Sequence, residues 1–456
     1  MSDANDFVWG VASSAYQTEG AWNVDGKGPS IWDEFSSKRN KILNNERADT
    51  AASFYTLHQQ DLDIIAALQI KNFRWSVSWP RVIPNGYGHR NHKGIDFYDR
   101  LTDECLSRNI TPWVTLYHWD LPQALENKGG WTNRNIVDWY SEYVVYVVKK
   151  LGDRVKNWMS LNEPLAFTGA GYFLGVHAPG KRGMQNFLPA MHHASLAQAE
   201  GIRLVKQYCN NANAGTTFSC TMITPSSENS RDLAAVKRVD ALLNRLFIEP
   251  LIGRGYPLND LPFLQRIEKY IKDGDEQKLI AIPDFAGIQN YTREVVSHSW
   301  FTPYIQAKII TANSRKVERT AMKWEIYPAA LGSMIKKFDA YAEIPSIIVT
   351  ENGAAFPDTV SDGAVHDFHR TQYLQNHLSE VLSAKKSGYK VNGYFVWSLT
   401  DNFEWTEGYH PRFGLVHVDF HSQRRIIKSS GHWYSRFVRS QIPNEIQENH
   451  SLLKQV

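Results

Sequence analysis

The sequence predicts an α/β protein, a single (β/α)8 TIM barrel with long βα-loop insertions that spans residues 1–456. Eight short apolar, β-branched or aromatic runs recur along the chain, and helix-like patterns separate them. No Pro/Gly/Ser linker and no low-complexity segment divides the chain. Alternating strands and helices favour a parallel sheet, and eight such units favour its closure into a barrel. Because the chain is longer than the ~250 residues of a plain barrel, several βα loops must carry insertions.

The eight candidate strands are, in order, FVWGVASS, NFRWSVSW, ITPWVTLYHW, VKNWMSLNEP, AGTTFSCTMI, DFAGIQNYT, PSIIVTENG and VNGYFVWSLTDN. Helical apolar spacing is clearest at residues 61–70, before the second strand, and at residues 136–152, before the fourth. The alternative fold is a doubly wound open sheet. That fold usually carries a glycine-rich nucleotide fingerprint after its first strand, and VASSAYQTEG is not one.

Composition excludes several classes of function. The net charge is +3 with no basic block, so no nucleic-acid partner is expected. Three cysteines without a CxxC pair predict neither a disulfide framework nor a zinc site. The N-terminus, MSDANDFVWG, has no basic region followed by an apolar run, and no apolar run approaches the ~20 residues of a membrane span. We therefore expect a cytoplasmic protein that does not associate with a membrane.

Five of the candidate strands begin apolar and end polar, in SSAYQTEG, TLYHWD, SLNEP, VTENG and WSLTDNFEW. In a (β/α)8 barrel the carboxyl ends of the strands and the loops that follow them build the active site. Any one of these clusters could simply cap a strand. Their recurrence in segments far apart in sequence favours a shared catalytic site instead.

Carboxylates stand out among these polar groups: Asp120, Glu163, Glu351, Asp401 and Glu404. An isolated glutamate is more often exposed or paired on the surface. In IIVTENGAA, however, a charge follows a strand that reads as buried on both faces, and this is costly unless the charge is paired or useful. The Asn-Gly that follows predicts a sharp turn. Two facing carboxylates are the minimum for glycoside hydrolysis, one donating a proton and the other attacking the sugar or activating water.

Motifs along almost the whole chain resemble glycoside hydrolase family 1, the β-glucosidases. They include FVWGVASSAYQTEGAWNVDGKGPSIWD, FRWSVSWPR, YHWDLPQAL, NEPLAFTGAGYFLGVHAPG, VTENG and WSLTDNFEWTEGYHPRFGLVHVD, in the order of the family. The resemblance implies a retaining double displacement that needs no metal or organic cofactor. It implies Glu163 as the acid/base and Glu351 as the nucleophile, with carboxyl groups about 5–5.5 Å apart.

The same resemblance implies roles for further residues. Arg74 and Tyr291 match the groups that contact the nucleophile. Hydroxyl recognition is implied for Gln17, His118, Asn162 and Glu404. Trp397 resembles the platform beneath the sugar, Trp405 supplies an indole N–H, and Trp119 and Phe413 resemble pocket walls. Trp324 resembles the residue that stacks on the aglycone. For any single aromatic residue, a place in the core would otherwise be the more common role.

Some positions depart from the family pattern. Gln289, in GIQNYT, replaces the usual Asn and is expected to change contacts around Glu163, and Ala329-Ala330 replaces the usual Glu-Gly. Glu404 and Glu407 would repel a phosphate, so an unphosphorylated sugar is favoured. The expected partners are small-molecule β-glycosides or oligosaccharides, with cross-reactivity toward β-galactosides and β-fucosides. The sequence does not predict the oligomeric state.

Two other functions stay open on the sequence: a catalytically silent sugar-binding module on the same barrel, and glycosyl transfer by the same residues. Loss of one catalytic glutamate would mark the silent module, and both glutamates are present. A metal site is not expected. His118 lacks neighbours at metal-ligand spacing, and His192 and His193 are adjacent, so they cannot share a helix face.

Overall fold

The computed structural model describes residues 7–441 and contains a closed barrel of eight parallel strands. Each strand pairs with the strands before and after it in the chain, and the last pairs with the first. The predicted barrel and its eight candidate strands are therefore confirmed. The strands, β1 to β8, are Val8–Ala12, Asn72–Ser76, Thr111–Tyr117, Asn157–Asn162, Asn213–Ser219, Phe285–Gln289, Ile347–Asn352 and Val391–Trp397.

One long helix follows each strand, which is the arrangement that connects parallel strands. The helix predicted at residues 136–152 is confirmed, and it buries Ile136, Tyr140, Val144 and Val147 at helical spacing. The helices, α1 to α8, are Phe54–Ala67, His92–Ser107, Ile136–Leu151, Met184–Tyr208, Ser230–Asp240, Ala329–Asp339, Phe368–Lys386 and Ser429–Ser440.

The helix predicted at residues 61–70 has different bounds in the structure, where α1 runs from Phe54 to Ala67. Its buried stripe begins at Phe54 and continues with Leu62 and Ile65. Polar residues separate Phe54 from the later apolar positions, so the sequence pattern reveals only the second half of the helix.

The predicted insertions in the βα loops are present. A three-stranded sheet, built from the loops after β5 and β6, contains Met222–Pro225, Arg293–His298 and Ala307–Ile309. Two hairpins after β7 and β8 pair Val360–Ser361 with Ala364–Val365 and Val416–Val418 with Arg425–Ile427. Short helical segments are Ala15–Thr18, Ile31–Ser36, Leu43–Asn45, Trp79–Val82, Gln123–Glu126, Gly130–Thr132, Ala166–Leu174, Ala241–Arg245, Ile248–Leu251, Pro262–Tyr270, Asp275–Lys278 and Trp405–Glu407.

The interior of the barrel is a packed apolar core. Trp113 of β3 lies edge-on to Phe285 of β6 and Phe395 of β8, with ring centroids 5.6 and 5.3 Å apart. Gly10 of β1 faces this cluster, and a Cβ atom there would lie 2.3 Å from the Phe395 ring. Glycine at this position therefore makes room for a large aromatic side chain from the neighbouring strand.

The sharp turn predicted at Asn352-Gly353 is wrong. Asn352 is the last residue of β7, and residues 353–359 continue without a turn. Gly353 is required for another reason, because a Cβ atom there would lie 1.8 Å from the carbonyl oxygen of Trp397. The glycine permits close contact between the ends of β7 and β8.

The three cysteines, Cys105, Cys209 and Cys220, are buried free thiols. Within residues 7–441, no helix combines the length and the apolar character needed to cross a bilayer.

Candidate active site

The carboxyl ends of the barrel strands surround a pocket of about 400 Å³, hereafter the catalytic pocket. This is the end of the barrel at which such enzymes keep their chemistry. Arg74 and Asn162 lie beneath the pocket as fully buried side chains. The other eleven of the thirteen predicted site residues line it: Gln17, His118, Trp119, Glu163, Tyr291, Trp324, Glu351, Trp397, Glu404, Trp405 and Phe413.

Glu163 follows directly after β4 and has a left-handed backbone, with φ of 46°. Its N–H donates to the carbonyl of Thr217 on β5, at 3.0 Å, which fixes this uncommon conformation to the barrel. Burial, together with the negative charge of Glu351, raises the pKa of the Glu163 carboxyl to about 8. Glu163 makes no ion pair within residues 7–441. A carboxyl group that keeps its proton at neutral pH is suited to act as an acid.

Glu351 lies near the end of β7 and is bound on both carboxylate oxygens. Its Oε1 forms an ion pair with the guanidinium of Arg74, and its Oε2 accepts a hydrogen bond of 2.6 Å from the Tyr291 hydroxyl. Burial raises the pKa of Glu351, while Arg74 and Tyr291 oppose that shift. Because these two groups stabilise its anion, Glu351 is the member of the glutamate pair that ionises first.

Arg74, on β2, connects the predicted nucleophile to the end of β4. Its Nη2 donates to Oδ1 of Asn162, at 2.6 Å. The same oxygen accepts from Thr217 and from Gln289, each at 2.8 Å. The Asn162 side chain is thus held by three donors, and Gln289 acts on it rather than directly on Glu163.

The polar groups predicted to bind the sugar lie on other strand ends. The amide nitrogen of Gln17 donates to Glu404 at 3.3 Å, and the amide nitrogen of Asn162 lies 3.1 Å from Nε2 of His118. Burial lowers the pKa of His118 well below its usual range, and Arg74 lowers it further, so the ring is neutral. Burial and the charge of Glu351 raise the pKa of Glu404 to about 8.

Aromatic side chains form the walls of the pocket. Trp119 and Trp405 pack with ring centroids 4.4 Å apart, and Trp324 lies 5.3 Å from Tyr291 and 6.1 Å from Phe413. Trp119 and Trp405 have positive φ angles of 80° and 48°, as Glu163 does. Non-glycine residues with this backbone collect at functional sites, where the surrounding structure holds them in place.

Two of the carboxylates singled out by sequence do not line the catalytic pocket. Asp120 is 1% exposed, and burial raises its pKa to about 8, so it is a mostly neutral group in the protein interior. Asp401 accepts from Nζ of Lys428 at 2.7 Å and from the backbone N–H of Gly414 at 3.0 Å. It therefore fixes the loop after β8, which carries Glu404, and takes no direct part in the pocket.

Asp358, Asp401 and His417 bring potential metal ligands within 4.8 Å of one another. The Lys428 ammonium lies against both carboxylates, at 2.5 Å from Asp358 and 2.7 Å from Asp401. A cation from the protein thus already balances this cluster, which argues against a metal there. Likewise, His192 and His193 have separate partners and form no shared site: Asp275 for the first, the Trp131 carbonyl for the second.

The sequence analysis assigned no role to several residues that line the pocket. His177 is one of them, in the Gly/Pro-rich loop after β4, and burial lowers its pKa to about 4. A histidine within such a loop after an active-site strand is the signal that would have pointed to it. The other residues of this kind include Ala166, Ser219, Cys220, Thr221, Leu243 and Met322.

Comparisons with known proteins agree with this geometry. The family model described as glycosyl hydrolase family 1 matches residues 3–442. β-Glucosidase A of Thermotoga maritima is 42% identical over 439 residues, covering 95% of this chain and 97% of the relative. β-Glucosidase A of Acetivibrio thermocellus is 40% identical over 441 residues, covering 95% and 98%.

Solved structures show the same correspondence. The family 1 β-glucosidase from Thermotoga maritima superposes with a TM-score of 0.93 at 40% identity, covering 96% of this chain and 98% of that one. The same relative has been solved in complex with deoxynojirimycin, with a TM-score of 0.92, and with galacto-hydroximolactam, with a TM-score of 0.90. The chain described here belongs to glycosyl hydrolase family 1.

Proposed function

We propose that this protein is a retaining β-glucosidase, which hydrolyses terminal nonreducing β-D-glucosyl residues through a covalent glycosyl-enzyme intermediate. The observation that carries the proposal is the contrast between two buried glutamates in one pocket. Glu351 is bound by Arg74 and Tyr291, which favour its anion, whereas Glu163 has a pKa raised to about 8. A nucleophile must be ionised and an acid must be protonated, and this pair meets both needs at neutral pH.

In the first step, a carboxylate oxygen of Glu351 attacks the anomeric carbon, and the bond from that carbon to the aglycone oxygen breaks. Glu163 gives its proton to this oxygen, so the aglycone leaves as an alcohol. Ester formation removes the charge of Glu351, and the pKa of Glu163 then falls because a repelling charge has gone. Glu163 next takes a proton from water, which attacks the anomeric carbon and releases Glu351 and a β-sugar.

The remaining predicted residues form the sugar site in this proposal. Gln17, His118 and Glu404 bind hydroxyl groups, Asn162 acts near the 2-hydroxyl, and Trp397 lies beneath the ring. Because a carboxylate or an amide can bond to either orientation of the 4-hydroxyl, we infer activity on β-galactosides and β-fucosides as well. Functional side chains come from strand ends around the whole barrel, so we also propose that residues 1–456 act as one catalytic domain.

The experiment that tests the function combines a substrate panel with product stereochemistry. We expect release of nitrophenol from aryl β-glucosides, and proton NMR of the first-formed sugar should show the β anomer. Aryl α-glucosides are the matched control and should not react. A folded protein that is inactive on all gluco, galacto and fuco β-substrates would support the silent sugar-binding module, and a first-formed α anomer would exclude retention.

The pH dependence of kcat/KM follows from the two glutamates. Because Glu163 must carry a proton in the first step, we expect kcat/KM for nitrophenyl β-glucoside to fall as pH rises through about 8. At low pH it should fall again, as Glu351 becomes protonated and loses its nucleophilic charge. A dinitrophenyl β-glucoside, whose leaving group needs no proton, is the control. If its alkaline fall is unchanged, the titrating group is not Glu163, and Glu404 becomes the candidate.

A further inference from the structure

A second cavity, hereafter the side chamber, adjoins the catalytic pocket and has a volume of about 620 Å³. The two cavities share the residues at their junction, but Trp324 and Tyr291 line only the catalytic pocket. The side chamber therefore lies apart from the wall on which aglycone stacking is predicted. The shared residues are Ala166, Ser219, Cys220, Thr221 and Leu243.

The lining of the side chamber is almost entirely apolar. Phe173 packs between Phe187 and Tyr304, with ring centroids 5.7 and 6.2 Å away, and Phe263 lies 5.7 Å from Tyr304. Hydroxyl groups are confined to a few residues. The remaining apolar lining is aliphatic or contains sulfur: Leu165, Ala170, Leu174, Met184, Leu242, Pro303 and Ile305.

Part of this lining is in contact with solvent. Leu174 is 55% exposed and Tyr304 is 40% exposed. Concave apolar surfaces of 300–1,000 Å³ are typical of small-molecule sites. Covering them with apolar atoms releases water and is favourable, whereas covering them with sugar hydroxyls would leave those hydroxyls without partners. The lining therefore selects a hydrocarbon over a second sugar ring.

We propose that the side chamber binds the hydrocarbon part of an aglycone, such as a linear alkyl or a terpenoid chain, while its glucosyl group occupies the catalytic pocket. The proposal rests on the proposed function, because the junction lies beside Glu163, the acid that protonates the aglycone oxygen. Ala166 is three residues beyond Glu163, and it lines both cavities. A chain attached at that oxygen can thus pass from one cavity into the other.

The kinetic consequence is specific. The aglycone is present only until the first step releases it as an alcohol, so binding in the side chamber acts on kcat/KM and leaves the second step unchanged. We expect kcat/KM for alkyl β-glucosides to rise about two- to threefold for each added methylene from methyl to octyl. The series is measured below the concentration at which octyl glucoside forms micelles. A flat series, with methyl β-glucoside still hydrolysed, would overturn the proposal and leave the proposed function standing.

A variant that fills the side chamber tests its location. Gly169 lines the side chamber, and an added Cβ atom would meet only the Leu165 side chain, at 3.6 Å, so space remains for a larger group. In Gly169→Phe we expect the dependence on chain length to disappear, with kcat/KM for methyl β-glucoside within about twofold of the parent protein. Gly169→Ala is the matched control and should keep the full dependence. If both variants keep it, the hydrocarbon binds elsewhere.

A second variant at the rim covers the case in which Gly169→Phe does not fold. Tyr304 has a φ of 68°, a conformation that asparagine tolerates, and its ring is partly exposed. Tyr304→Asn removes the aromatic wall and should reduce the octyl-to-methyl ratio of kcat/KM at least threefold. An unchanged ratio, or a change of oligomeric state by light scattering without a change in ratio, would instead indicate that the apolar face is covered by a second copy of the chain. Loss of activity on every β-glucoside in the folded parent protein would contradict the proposed function itself.

Discussion

Replacing Glu351 with Gly is expected to lower the turnover of aryl β-glucosides about 10⁴- to 10⁶-fold, because no other group in the pocket can form the covalent intermediate. The side chain is held by Arg74 and Tyr291, which in the variant face an empty space of carboxylate size. Azide is a small anion that fits this space. We expect added azide to restore cleavage and to form an α-glycosyl azide, since it attacks from the face that Glu351 occupied.

Two comparisons make this result decisive. Glu318 is an exposed glutamate, and Glu318→Gly is the matched control that should retain parental turnover. Restored cleavage also shows that Glu351→Gly is folded, even though the variant leaves Arg74 buried without its anionic partner. A β-glycosyl azide would mean that the nucleophile is assigned to the wrong residue.

Replacing Glu163 with Ala is expected to separate substrates by their leaving groups. Alkyl β-glucosides need protonation of the leaving oxygen, and their kcat/KM should fall about 10²- to 10⁴-fold, the usual contribution of general acid catalysis. A dinitrophenyl β-glucoside needs no proton, so its first step should remain fast. The second step lacks its base, and the glycosyl-enzyme should accumulate as a burst of dinitrophenol approaching one equivalent per site.

The outcome with azide differs from that of the nucleophile variant. In Glu163→Ala, azide should attack the intermediate in place of activated water and give a β-glycosyl azide, because Glu351 still occupies the other face. Glu163→Gln is a near-isosteric companion and should show the same separation of leaving groups. An equal loss of activity on alkyl and dinitrophenyl substrates would show that Glu163 is not the acid.

The barrel could be predicted from the sequence because its strands announce themselves locally. Each of the eight strands is a short apolar run, and burial on both faces of a parallel sheet requires such runs. The strand ends that carry Glu163 and Glu351 were visible for the same reason, as polar groups directly after apolar residues. Their individual roles came from the resemblance to a family, since spacing alone does not distinguish an acid from a nucleophile.

The errors in prediction came from contacts between distant segments. Asn352-Gly353 resembles a turn, but its glycine is required by the backbone of Trp397 on the neighbouring strand. Asp401 stands in a motif with Glu404, yet it faces Lys428 and the loop after β8 rather than the pocket. The side chamber was not predicted at all, because its residues come from separate loops that only the fold brings together.

The sequence by itself determined the barrel, the order of its strands and the two glutamates at their ends, because short-range apolar patterning specifies which segments become buried strands. Only the tertiary structure decided how these groups differ in chemistry. Arg74 reaches Glu351 across 277 positions of sequence, while Glu163 is buried without a cation of its own. The pKa of a carboxyl group depends on burial and on charges within a few ångströms, and those neighbours are assembled by folding.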